Sequence, residues 1–268
     1  MIVEIFGPQG VGKTTFARAL AAELQNQHQN VDLVLSYRPA ERLPTDSRKH
    51  PISAPTAAVA IRLVRPVVEL LTMTFHPLAY RNDLSTAASL LKVLPPKNFL
   101  SSVRLSQYIL RLSHSWHMAS NSSHITLFDQ AFIQAVCSLV LSHPSADETL
   151  IARALDIIPK PDLLIQLDAS PDILAARLHN RQRFQGPVER MLEVDPATNS
   201  EEHPLFEYLL GLLRKRGQPV TCINSSDPGS LDDAVRETAE QIKMVLRPPY
   251  QTSHALWGNL SSEGLPHV

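Results

Sequence analysis

The run Ile2 to Phe6, apolar except at Glu4, leads into Gly7-Pro8-Gln9-Gly10-Val11-Gly12-Lys13-Thr14-Thr15, after which Phe16, Leu20 and Leu24 recur every four residues. A strand, a glycine-rich turn and an amphipathic helix in immediate succession constrain the chain more than any other feature. The turn matches the pattern GxxxxGK[ST] in full, and the context is the one its mechanism needs. Glycines let backbone N–H groups point inward at a phosphate, and the helix N-terminus adds partial positive charge. Gln9, Gly10, Val11, Gly12, Lys13, Thr14 and Thr15 are therefore expected to bind the phosphates of ATP. Lys13 is the expected catalytic cation, and the Thr14 hydroxyl is an expected Mg²⁺ ligand.

Four further apolar runs read as buried strands: Val31 to Tyr37, Ile125 to Asp129, Leu163 to Asp168 and Val220 to Ile223. Helical patterns separate them, at Leu100 to Ala119, Ala131 to Leu141, Pro171 to Gln182 and Ser230 to Val245. Such alternation predicts an α/β fold with a parallel sheet covered on both faces. A chain of 268 residues then suits one domain with an insertion. The expected organisation is a domain over 1–246, an inserted helical layer over about 40–100 with helices near Val64 to Phe75 and Leu84 to Leu94, and an extension over 247–268. The insertion is marked by eight prolines between Pro39 and Leu100, and the extension by turn-formers without periodicity.

Charge excludes some partners. Twenty-five Lys and Arg against 26 Asp and Glu leave no chain-wide basic excess to hold a nucleic-acid backbone or an anionic membrane. Nucleic acid is expected only as a modified-base acceptor. No run approaches membrane-spanning length, and Cys137 and Cys222, each in an apolar segment, read as buried thiols of a reducing compartment; the expected location is cytoplasmic.

Two further motifs carry chemistry. "HITLFDQ" is a buried strand ending in Asp129, placed to hold Mg²⁺ directly or through water beside the loop. In "RLHNRQRF", Arg177 and Arg181 lie four apart on one helix face with Arg183 beyond. Their guanidiniums can close over a transferring phosphoryl group, or they form a solvated basic helix end.

With these residues in view the chain resembles the nucleoside-monophosphate kinase group of P-loop proteins, and most of all thymidylate kinase. The likeness rests on "GPQGVGKTT", "SYRPAE", "LFDQ", "PDLLIQLDASPDILAARLHNRQR" and "INSSDPGSLDDAVRETAEQI". It implies a P-loop NTPase fold with five parallel strands in the order 2-3-1-4-5. It also implies a lid over about 177–190 bearing Arg177, Arg181 and Arg183, and adenine flanked by Asn224, Ser225 and Ser226. The family's Arg after the third-strand acid is replaced here by Gln130, and its Thr-Arg-Glu-Pro-like run by Ser36-Tyr37-Arg38-Pro39.

Acceptor candidates are Arg38, Glu41, Arg104, Gln107, Arg111 and Gln130. Arg104, Gln107 and Arg111 share a helix face at spacings of three and four. The expected activity is transfer of the ATP γ-phosphoryl to a small acceptor, a thymidylate-type (deoxy)nucleoside monophosphate first. A hydroxyl of a nucleoside, sugar or hydroxymethyl base is the alternative, with Glu41 as its base. A nucleotide-dependent switch is a further reading, though no Asn-Lys-x-Asp guanine motif occurs. A homodimer is left open.

Overall fold

The computed structural model describes residues 1–36, 81–143, 145–183 and 196–246. In chain order the elements are β1 (Ile2–Phe6), α1 (Lys13–Asn26), β2 (Val31–Val34), α2 (Arg81–Val93), α3 (Phe99–Ser120), β3 (Ile125–Phe128), α4 (Phe132–Ser142), α5 (Glu148–Ile157), β4 (Leu163–Asp168), α6 (Pro171–Arg183), α7 (Pro196–Lys215), β5 (Val220–Asn224) and α8 (Pro228–Leu246). The five strands form one parallel sheet in the order β2-β3-β1-β4-β5. This is the expected order, and every crossover runs through at least one helix, as parallel pairing demands.

The apolar content of each strand follows its place. β1 and β3 are buried along their whole length, whereas β2 and β5, at the edges, keep half-buried or exposed positions. Alternation then assigns the faces. Val3, Ile5, Leu127, Ile165 and Leu167 pack on one side with Phe16, Leu20 and Leu24 of α1 and Val235, Ala239 and Ile242 of α8. Phe16, Leu20 and Leu24 are wholly buried, each stabilising the fold by roughly 1.5–3 kcal/mol. Ile2, Phe6, Phe128 and Leu164 face the thicker layer of α2, α3, α4, α5 and α7. There Trp116 stacks on Phe128 and meets Phe132 edge-on, both with ring centroids 5.3 Å apart.

Several expectations change in detail. β2 and β3 each end before the predicted limit, while β5 runs on to Asn224. Of the inserted layer, α2 and the start of α3 are described; the helix expected near Val64 to Phe75 and the extension 247–268 lie outside the described residues. Cys137 is buried, but Cys222 is exposed. β5 has a neighbour on one side alone, and the Cys222 thiol accepts from Arg214 Nη2 at 3.1 Å instead of entering the core. No helix among the described residues is long and apolar enough to cross a membrane.

Glu4 is the one polar side chain of β1, and it lies fully buried on the thicker side. Its Oε1 accepts the Ile133 N–H at 2.7 Å, at the start of α4, while Oε2 finds no partner among the described residues. Burial pushes the carboxyl up to about 8, against the lowering pull of the Ile133 and Phe132 N–H groups. The folded state thus holds a proton that the unfolded chain releases near 4.5. The associated stability is complete below that value and is lost as pH rises toward about 8, at roughly 1.4 kcal/mol per pH unit. Glu4→Gln, which never ionises, is expected to match the wild type near pH 5 and to exceed it increasingly up to pH 8. Urea unfolding across that range checks this, and parallel pH profiles for the two proteins would refute it.

Candidate active site

The loop between β1 and α1 lies at the C-terminal edge of the sheet, where β1 stands between β3 and β4. Its first glycine is enforced by a close approach. Gly7 has φ 143°, and a Cβ there would stand 2.2 Å from the Leu167 carbonyl oxygen of β4. Gly12, with φ 99°, turns the chain into α1 in a left-handed conformation that side chains rarely adopt. Lys13 then doubles back over the loop: its Nζ donates to the carbonyls of Gly7 at 2.6 Å and Pro8 at 2.9 Å. Lys13 is 5% exposed, and both Nζ contacts are buried. A cation so withdrawn from water acts strongly on any phosphate that enters.

Asp129, just beyond β3, is fully buried. Its Oδ2 accepts the Thr14 hydroxyl at 2.8 Å and the Ser36 hydroxyl at 3.3 Å, and its Oδ1 accepts the Ser36 backbone N–H at 2.6 Å. One carboxylate thereby joins the start of α1 to the loop after β2. Thr14 and Asp129 form a hard-oxygen pair of the kind Mg²⁺ takes, an ion that keeps waters and phosphate oxygens in its shell. No group of three or more His, Cys, Asp and Glu suited to a metal occurs among the described residues.

The far end of the loop is fixed from behind. Ser225, 3% exposed, donates its hydroxyl to the Val11 carbonyl at 2.7 Å, and its backbone N–H donates to the Asp168 carbonyl at 2.8 Å. Arg177 adds bonds from Nη1 to the Val11 carbonyl at 3.3 Å and from Nη2 to the Ser225 carbonyl at 2.7 Å. Arg177 therefore sits between the phosphate loop and the loop after β5. Arg181 and Arg183 belong to the last turn of α6. Beside Ser225, Asn224 is exposed and its side-chain oxygen accepts the Ser226 N–H at 2.9 Å, a tight turn at the end of β5.

The near end of the loop carries a contact that sequence reasoning missed. Gln9 donates its backbone N–H to Glu202 Oε2 at 2.9 Å and its Nε2 to Glu202 Oε1 at 3.2 Å. Glu202 is 4% exposed and belongs to α7. The periodic Phe206, Leu209, Leu212 and Leu213 signal that helix, but Pro204 within it reads as a breaker. Ser36, inside "SYRPAE", carries no local signature of its contact with Asp129.

The acceptor candidates are only partly described. Arg38 and Glu41 lie outside the described residues. On α3, Gln107 is buried while Arg104 and Arg111 are exposed. Gln130 is half-buried beside Asp129.

No protein-family model matches the sequence, and no curated protein matches it. The fold does have solved counterparts. A deoxyadenosine kinase from M. mycoides with the products dCMP and a flexible dCDP bound aligns at TM-score 0.50 and 14% identity, over 90% of this chain and 100% of that one. The chain has the P-loop NTPase fold of that kinase. The same kinase with dCTP gives TM-score 0.47 and 13% identity over 90% and 100% of the two chains, and with dATP 0.48 and 13% over 90% and 99%.

Asp129→Asn keeps the shape and one acceptor for the Ser36 N–H, so its stability loss is expected to stay near 1 kcal/mol. Nucleotide affinity in Mg²⁺ is expected to fall about tenfold, and affinity in EDTA to change less than about threefold. Calorimetric titration under both conditions checks this; equal losses would return Asp129 to a purely structural role.

Proposed function

We propose that the chain is an ATP-dependent phosphotransferase that moves the γ-phosphoryl of Mg-ATP to a small acceptor of the nucleoside class. The observation that carries the reading is the buried Lys13 ammonium in a glycine-formed loop, with Thr14 and Asp129 2.8 Å apart beside it. A buried charge aimed at the transferring group contributes most in the transition state. Bound Mg²⁺ would neutralise β- and γ-phosphate oxygens, with Thr14 and Asp129 as its protein ligands. The fold likeness to a kinase over 90% of this chain supports transfer over a switch. Arg177, Arg181 and Arg183 lie on the helix expected to enter the lid, and Arg181 and Arg183 are proposed to reach the phosphates.

The finer reading is a thymidylate-type monophosphate, held by Arg38 or Arg104. A monophosphate brings its own anionic oxygen and needs no base. A second reading, a nucleoside hydroxyl, is favoured by one specific feature: Gln130 stands where the thymidylate kinase pattern has an arginine for the acceptor's charge. Glu41 would then take the proton, and Gln107 and Arg111 would complete the acceptor wall.

Lys13→Ala is expected to remain folded and to lose about 10³-fold or more in turnover. ATP consumption measured against nucleosides, nucleoside monophosphates, sugars and hydroxymethyl-base DNA reveals the acceptor. Folded Lys13→Ala with unchanged turnover would sink the kinase reading. On the acceptor found, Glu41→Gln should be tolerated and Arg38→Ala or Arg104→Ala damaging if it is a monophosphate. The reverse order would identify an alcohol.

A further inference from the structure

The phosphate loop is gripped at two points that flank its centre. At Val11 the grip comes from Ser225 and Arg177, and at Gln9 it comes from Glu202. The second grip is the unusual one. A buried carboxylate accepts both the main-chain and the side-chain N–H of one loop residue, which fixes the peptide plane as well as the side chain. The helix supplying it is itself secured around the loop. His203 Nε2, the next residue along, lies 3.2 Å from Asp168 Oδ1 at the end of β4. One turn on, the Phe206 ring packs 6.1 Å from that of Phe6, immediately before Gly7. Glu202 therefore approaches Gln9 from a rigid platform, and its burial makes loss of either partner costly.

We propose that Glu202 is a positioning residue for the phosphate loop, holding Gln9 so that the loop keeps its open, phosphate-receiving shape before nucleotide arrives. A glycine-rich segment has many competing conformations, and restricting them beforehand removes an ordering cost from binding. The effect is one of geometry: what is required is an acceptor for the Gln9 main-chain N–H and a hydrogen-bond partner for its side-chain amide, both held at the right height. This deepens the kinase reading and rests on it for the identity of the phosphate ligand.

Hydrogen exchange in the nucleotide-free protein, read on a peptide covering residues 7–15, tests the proposal without relying on activity. Glu202→Ala should speed exchange in that peptide at least about fivefold, with the sheet strands unchanged. Titration with a non-hydrolysable ATP analogue and Mg²⁺ should show affinity about tenfold weaker. Glu202→Gln keeps an acceptor for the Gln9 N–H and, with the Gln9 amide reversed, a donor for its oxygen; it should stay within about threefold of wild type in both readouts. Gln9→Ala removes the outer arm at a half-buried position and decides the matter if Glu202→Ala does not fold. Its effect should be confined to the same peptide and be less than additive with Glu202→Ala. Loop exchange within about twofold of wild type in the alanine variants, or exchange raised equally across the sheet, would overturn the proposal. A wild type that binds no ATP analogue but shows the localised exchange response would refute the kinase reading and leave the positioning role standing.

Discussion

A single buried carboxylate organises the site. Asp129 has no water to solvate it, so its stability depends on the donors that surround it, and these come from two separate places in the chain. Thr14 brings the first turn of α1, and Ser36 brings the loop that leaves β2. Because β3 lies between β1 and β2, the acid at its end is the natural point for both to converge. The geometry of the phosphate loop, the mouth of the β2 loop and any Mg²⁺ between them all refer to that group.

Parallel architecture makes this convergence possible. All five strands point the same way, so their ends deliver Gly7, Asp129, Asp168 and Ser225 to one edge. The covering layers differ. α1 and α8 form a thin apolar layer behind the loop, while the opposite face carries several helices and the buried acid of Glu4. The loop is thus set against a packed apolar back, and on its other side Asp129 ties its end to Ser36 beyond β2.

Much of this was legible in the residues. The loop, the strand ending in Asp129, the five-strand pattern and the helix starting at Pro171 each carry a local signature, whether a glycine, an apolar run or a capping residue. Interactions across long sequence distances left no such mark. Glu202 stands in a helix whose apolar period is clear from Phe206 onward, but Pro204 argues locally against a helix and tertiary packing overrides it. Arg177 carries the right residue type for a phosphate ligand, yet its bonds to Val11 and Ser225 depend on how α6 lies across the loop, which spacing alone does not specify. Cys222 misled for a related reason: an apolar neighbourhood in sequence says nothing about whether a strand is central or at an edge.

The order in which the ribosome makes these parts has its own consequence. Gln9 and Glu202 are separated by 193 positions, and Val11 and Arg177 by 166. The phosphate loop leaves the exit tunnel long before either of its restraints has been translated, and β4, which closes over Gly7, is likewise still unmade. During most of synthesis the nascent chain carries the glycine loop without the partners that hold it in the folded protein. These contacts all come from the segment running from β4 to β5, so a truncated product ending before that segment carries the glycine loop without its restraints.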